Sequence, residues 1–413
     1  MQAVLTPRDL PIAAPRSDVV ARVLVATPVV AGTVFAKLAV PPLGVHGLGI
    51  VVPLTACAVF LGLASGRLHI VPRRLLLCLV MLSGLGLVQV LRADAFSPAS
   101  LALMTALAVT YVFMVDSAEA DQAWALRFFA DLTAILAVLG IAQFVLQFVA
   151  ERALVFPIET YVPEQFRTLG FHNIAPLYWG SPIFRSNGFV MLEPSEFSQV
   201  CAIGLVAELA GRARLLRLAL YASALLVSYS GTGLIILAAT LPLYVMIERR
   251  WGLLAPALVF VVAVALFSTP LHLDSLWRRI GEFASPGSSG FARFVGWRDL
   301  FEDKVWTSTG HALFGHGAGS FFEAASRYSA SEMSYAKIIF EFGVLGALLY
   351  FAFIFYCLFT TRAPFIVRVA IGLCFFMNGA YAPSATSFAL SLALWPNDGS
   401  ARRRVRRLAG APA

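Results

Sequence analysis

Charge is scarce in this chain. Of its 413 residues, 13% are Asp, Glu, Lys or Arg, about half the share of an ordinary soluble domain. Hydrophobic residues make up 59% and the mean hydropathy is +0.80. A water-solvated globule of this composition lacks the polar surface to cover itself, which excludes a soluble enzyme, a nucleic-acid-binding domain and a disordered chain. Lysine is scarcer still: Lys37, Lys304 and Lys337 are the only three, so 28 of the 31 basic residues are Arg. Cysteine is sparse too. The five (Cys57, Cys78, Cys201, Cys357, Cys374) all sit in apolar runs with no Cys-x-x-Cys pair, which excludes a disulfide framework and reads as small apolar packing residues. His172, His272, His311 and His316 have no His-Glu-x-x-His spacing and no neighbouring carboxylate cluster, so neither a metal nor another cofactor is expected. The long loops contain no Gly-x-Ser-x-Gly elbow, and neither an internal repeat nor a low-complexity segment is present. Arg8, Arg16 and Arg22 lead straight into an apolar segment, so no cleavable signal peptide is expected.

What the chain has instead is long apolar runs. A membrane-crossing helix needs about 20 predominantly apolar residues. Twelve candidates are expected, at 19–40, 45–64, 75–91, 98–115, 126–149, 195–211, 215–229, 231–247, 252–270, 335–358, 365–381 and 384–396. The run 215–247 is too long for one helix and is broken by Ser228-Tyr229-Ser230-Gly231-Thr232-Gly233, which predicts a hairpin of two short helices. The chain therefore reads as one all-α, polytopic integral membrane domain spanning 1–413. Arg in short loops sets the orientation. Placing the N-terminus in the cytoplasm puts Arg67, Arg73, Arg74, Arg212, Arg214, Arg217, Arg249, Arg250, Arg362 and the 402–407 cluster inside, while the opposite short loops carry little beyond Lys37 and Arg92. Both termini are then cytoplasmic.

Two loops on the outer side, 150–193 and 271–333, are too long to be mere connections. The first carries three Arg and four Glu, the second six basic and seven acidic residues. This mixture suggests placed groups rather than a polybasic patch. The first loop ends in Arg185-Ser186-Asn187-Gly188-Phe189 and then Glu193-Pro194-Ser195-Glu196, where the Pro suits a helix start. Two Glu there suit a helix N-terminus; alternatively, one is a general base beside an Arg that holds phosphate. The second loop holds Arg293, Trp297 and Arg298. At i and i+4 of a helix, Arg293 and Trp297 form either a structural stack or a phosphate contact beside a sugar platform. Phe314-Gly315-His316-Gly317-Ala318-Gly319-Ser320-Phe321 lets backbone approach a ligand closely, but no Gly-Lys-Ser/Thr follows it. Lys337 and Glu341, and likewise Arg127 and Asp131, stand at i, i+4 and are expected to pair structurally. Gly343 and Gly346 suit close helix packing.

In this order the elements resemble the bacterial O-antigen ligase/polymerase superfamily. The match runs from Arg185 to Glu196, through the Ser228–Gly231 break, Arg293 and Trp297, and the Phe314–Phe321 turn, to Glu341, Gly343 and Gly346. It covers about 180–360 by motif and the whole chain by topology. Ligases of that superfamily carry a His-Asn pair at the start of the helix after the large loop. Here the stretch reads Met333-Ser334-Tyr335, which favours a polysaccharide polymerase over a ligase. The Ser-Tyr-Ser-Gly break also lacks the Arg often found there.

The resemblance implies a GT-C-like fold in the bacterial inner membrane, with both large loops in the periplasm. It implies inverting, metal-independent glycosyl transfer from an undecaprenyl-diphosphate-linked glycan to a second lipid-linked repeat unit. Arg185, Arg293 and Arg298 would hold the diphosphate, with Glu193, Glu196 or His316 as base, and Trp297 and Tyr335 would contact the glycan. Membrane lipid, a chain-length regulator and a flippase are the expected partners. A ligase-type transferase, a secondary transporter or lipid-linked-glycan flippase, and a non-enzymatic scaffold are the rival readings. The charge crowded into two outer loops and the absence of a repeat between halves weigh against transport.

Overall fold

A computed structural model describes residues 19–395 apart from 42–47, 93, 95, 116–118, 169–173, 179, 332, 379–382 and parts of 256–287. Most of the expected span 252–270, together with His172, His272 and both termini, lies outside the described residues.

The fold is helical, as the apolar runs require. The principal helices are α1 (Val19–Thr33), α2 (Val51–Ala64), α3 (Pro72–Arg92), α4 (Pro98–Thr110), α5 (Glu119–Leu146), α6 (Pro194–Ala210), α7 (Leu215–Val227), α8 (Gly231–Glu248), α9 (Ser334–Phe359), α10 (Phe365–Met377) and α11 (Pro383–Ala393). Each coincides with an expected span. Among the described residues, four stretches are long and apolar enough to cross a membrane: Pro72–Val90, Gln122–Leu146, Gly231–Glu248 and Ser334–Phe359. Shorter apolar helices accompany them. Their outer faces carry large apolar side chains such as Phe60 (74% exposed), Val90 (83%) and Leu216 (85%). Rows of such residues on helix after helix are stable against lipid and not against water.

Several boundaries differ from expectation. The run 19–40 is not one helix: α1 stops at Thr33, and Ala39–Val40 pairs antiparallel with Leu48–Gly49. The run 98–115 likewise stops at Thr110, and Phe113–Val115 pairs with Leu68–Ile70. At the second, aromatic and β-branched residues from Tyr111 to Val115 end an Ala- and Leu-rich helix. The break at 228–231 does separate two helices, and Tyr229 takes φ +45° there.

Helix α6 is the centre of the bundle. Every side chain from Pro194 to Leu209 is buried, against α5, α7, α8 and α10. A helix without an exposed face belongs in a core, and its polar members are therefore held inside. One end of the bundle is locked by Arg74, which is fully buried. Its guanidinium donates to the carbonyls of Tyr111 (3.3 Å), Phe113 (3.2 Å), Ala393 (2.8 Å) and Cys357 (2.8 Å) and to Thr360 Oγ1 (3.2 Å). At the same end Arg214 pairs with Glu208 at 2.9 Å, and Arg217 pairs with Asp131. The expected Arg127–Asp131 partnership is thus replaced by a contact between helices, because Arg217 projects from the first turn of α7 onto α5.

Candidate functional site

The opposite end of the bundle gathers the motif residues. The Arg185–Phe189 segment leads into α6 and is shaped by Gln143 of α5. Gln143 Oε1 accepts from the amides of Asn187 (3.0 Å) and Phe189 (3.2 Å) and from Ser186 Oγ (2.9 Å). Gly188 and Phe189 take φ +67° and +65°, a pair of left-handed residues that reverses the chain. Buried Lys37 fixes the turn from the other side, donating to the Phe189 carbonyl at 2.5 Å and pairing with Glu159 at 2.6 Å. Its one short-loop charge thus serves the architecture of the first long loop. The chain then enters α6 at Pro194 with Glu193 at the N-cap.

At this mouth the two long loops meet. Arg293, in the short helix Ser289–Phe294 of the second loop, donates from Nη2 to Glu193 Oε2 (2.5 Å) and to Ser195 Oγ (3.0 Å). Ser195 Oγ in turn donates to Glu193 Oε2 at 2.6 Å. The three groups close a triangle of charge-assisted hydrogen bonds. Arg293 and Glu193 are each about one-fifth exposed, so the triangle is neither sealed nor surface-bound. Glu196 lies one turn below, buried, with its Oε2 lacking a hydrogen-bond partner. A cluster of hydroxyls backs the mouth: Thr232 Oγ1 stands 3.1 Å from Ser198 Oγ and 3.1 Å from Ser230 Oγ, and donates to the Ser195 carbonyl. The Ser-rich break between α7 and α8 is therefore packed on the first turn of α6.

Arg293 is held by its own backbone. Tyr335, on the first turn of α9, donates its hydroxyl to the Arg293 carbonyl at 3.0 Å. Trp297 packs edge-on against Tyr335 (centroids 5.6 Å) and Phe301 (5.2 Å). Its indole N–H is buried without a hydrogen-bond partner. Glu193, Glu196, Arg293, Trp297 and Tyr335 thus belong to one neighbourhood, with Ser195 as a member that the sequence reading passed over. Ser195 had a signal, since it stands between the two singled-out Glu.

The other expected site residues stand elsewhere or differently. Arg185 donates from Nη2 to the Leu177 carbonyl at 2.7 Å, and its Nε is buried without a partner. Arg298 forms an exposed i, i+4 pair with Glu302 at 2.8 Å, and this hydrogen bond raises its already high pKa. Arg298 belongs to a second short helix, Gly296–Leu300, separated from that of Arg293 by Val295, and its partner is Glu302 rather than the triangle. His316 joins a separate cluster: its Nδ1 is 2.9 Å from Asp94 Oδ2, and His311 Nε2 is 3.0 Å from the same oxygen. No carboxylate cluster is expected beside the histidines; the fold brings one carboxylate there, Asp94, 222 positions from His316.

The glycine turn approaches backbone rather than a ligand. Gly343 interrupts α9 with φ +68° and ψ −176°, which leaves carbonyls of the preceding turn without their helical donors. The turn supplies donors: His316 N–H reaches the Phe340 carbonyl and Gly317 N–H the Glu341 carbonyl, both at 2.9 Å. A Cβ on Gly315 would meet the backbone of Glu341–Gly343, and one on Gly343 would meet that of Leu313–Phe314. Lys337 and Glu341 pair at 3.5 Å, buried beside this junction.

No known protein family, curated protein or solved structure matches this chain.

Proposed function

We propose that the protein is a bacterial inner-membrane polysaccharide polymerase with twelve crossings and a GT-C-like arrangement. It transfers an undecaprenyl-diphosphate-linked glycan onto another lipid-linked repeat unit at the periplasmic face. The observation that carries this reading is the meeting of Arg293 with Glu193 and Ser195 at the mouth of α6. A guanidinium from one outer loop and a carboxylate from the other are held in hydrogen-bond contact at a partly open position.

The pair suits an exchange of partners. An incoming diphosphate competes with Glu193 for Arg293 through bidentate contacts. The carboxylate so released accepts the proton of the acceptor hydroxyl. The acceptor oxygen forms a bond to the anomeric carbon as the bond from that carbon to the diphosphate oxygen breaks. The electron pair leaves on the diphosphate, stabilised by Arg293. Attack opposite the leaving group inverts the centre. Ser195 keeps Glu193 oriented, and Trp297 and Tyr335 border the space for sugar. Arg298 and His316 take no part in this scheme. The lipid tail lies along the apolar helix faces, and a chain-length regulator and a flippase act beside the enzyme.

The test is elongation of a short repeat unit linked to lipid diphosphate, with purified protein and no nucleotide sugar. A ladder of longer glycans is expected. Glu193→Gln should slow it about 100-fold or more, and Arg293→Ala about 100- to 1,000-fold, with both variants still inserted. A ladder at unchanged rate in either variant removes the assignment. A single transfer onto a lipid A core identifies a ligase instead. An intact substrate that only crosses the bilayer of liposomes sinks the enzyme reading.

A further inference from the structure

The cluster of Asp94, His311 and His316 has no place in the glycosyl transfer proposed above. Its three segments are the link between α3 and α4, the short helix Thr309–Phe314 and the glycine turn. His311 Nε2, His316 Nδ1 and one Asp94 carboxylate oxygen all lie within 4.8 Å of one another. The rings of His311 and His316 face each other at 4.1 Å, and His316 stacks on Phe340 at 4.6 Å.

The second ring nitrogen of His316 fixes its chemistry. Nε2 stands 3.2 Å from the Lys304 carbonyl. A carbonyl oxygen only accepts, so Nε2 carries the proton. In the neutral ring Nδ1 is then a lone pair, and it is aimed at a carboxylate oxygen 2.9 Å away. Two acceptors at that distance repel, so either a proton on Nδ1 or a metal ion lies between ring and carboxylate. A ring whose Nε2–H is held by a backbone carbonyl leaves Nδ1 as the nitrogen available to a metal, the orienting contact that metal-bound histidines make. The backbone holds the group in register: the Asp94 amide donates to the His316 carbonyl (3.1 Å) and the Gly315 amide to the His311 carbonyl (2.8 Å).

We infer that Asp94, His311 and His316 form a binding site for a divalent transition metal of the zinc class. Two imidazoles and one carboxylate are borderline donors that suit zinc rather than calcium or magnesium, which require oxygen cages. Zinc–ligand bonds of about 2.0–2.1 Å in a tetrahedron separate the ligand atoms by roughly 3.3 Å, so the two His–Asp contacts of 2.9 and 3.0 Å open by a few tenths of an ångström to admit the ion. Asp94 is 55% exposed, which leaves the fourth position to water. The ion clips the end of α3 to the second long loop and locks the glycine turn over the break in α9. The site stands independently of the polymerase reading.

The test uses full-length protein in detergent, with the purification tag removed and Cys57, the exposed free cysteine, changed to Ser in every variant. After chelation, Zn2+ is added and bound metal is measured by elemental analysis and calorimetry. One zinc per chain is expected, with a midpoint of thermal unfolding that rises on binding. Co2+ in its place should give the visible absorption of a tetrahedral site. His311→Ala and Asp94→Asn should each weaken binding tenfold or more and cancel the thermal shift. Because His311 lies on a short loop helix, its truncation leaves the bundle standing, and Asp94→Asn keeps the side-chain volume. Absence of bound zinc in the parent protein overturns the proposal, as does equal affinity in the parent and both variants.

Discussion

Arg74 carries the largest single-residue stake in the fold. A guanidinium taken out of water is costly unless its donors are satisfied, and here four backbone carbonyls and one hydroxyl receive its two Nη groups. Those acceptors come from 111–113, from α9 and its cap, and from the end of α11, so one planar fork joins segments far apart in sequence. Arg74→Ala removes a donor from each of these buried carbonyls, and each one left without another costs about 1–3 kcal/mol. The unfolding midpoint in detergent should fall by several degrees. Arg74→Lys should recover only part of the loss, since an ammonium is a point charge with three donors. An unchanged midpoint in Arg74→Ala rejects this account. The sequence made Arg74 legible only as one of several loop arginines, because its acceptors are carbonyls up to 319 positions away and carbonyls carry no sequence signature. The same distance hid the Arg293–Glu193 contact, 100 positions apart, although both residues stood out individually. Asp94 was missed despite a signal: it is an acid in a short link otherwise nearly bare of charge.

At the scale of elements, helices were legible because an apolar run has no alternative in lipid, and the hairpin break was legible because six small or polar residues interrupt one such run. The docking of the glycine turn onto α9 was not. Gly315 and Gly343 each suggested flexibility or helix packing alone. Their meaning is mutual: both have positive φ, +75° and +68°, and each leaves room for the other's backbone. Gly343→Ala costs about 1–2 kcal/mol in backbone conformation alone, and its Cβ meets Leu313–Phe314. The expected result is a resealed α9 and a released turn. Hydrogen exchange in detergent checks it, since the amides of His316 and Gly317 lose their acceptors on α9 and should exchange at least tenfold faster, while amides within α6 stay protected. Unaltered exchange at 316 and 317 overturns the docking account.

At the scale of the whole molecule, the polar ties sort helix ends into two groups. The start of α3, the end of α9 and the end of α11 meet at Arg74. The end of α3, the starts of α4, α6 and α9, and the end of α10 meet at the motif end, where Ser97 N–H reaches the Ala318 carbonyl (2.8 Å) and Ser334 N–H the Asn378 carbonyl (2.6 Å). A chain that alternates across a bilayer brings its ends together in this way, and helices of 13 residues are only about 20 Å long, against a hydrocarbon core of about 30 Å. To cross, such helices need a locally thinned bilayer or the non-helical segments that follow them, as Phe113–Val115 follows α4. The sided reading makes a direct prediction in a cysteine-free background. A cysteine in place of Ser326, exposed in the second long loop, should react with a membrane-impermeant maleimide on intact spheroplasts. A cysteine in place of Arg212, exposed between α6 and α7, should react only after the membrane is opened. If Arg212→Cys labels first, the arginine-rich end faces outward and the periplasmic placement of Arg293 and Glu193 falls with it. If both label together on sealed cells, the two ends are not on opposite sides, and the bundle does not cross the bilayer as the arginine distribution requires.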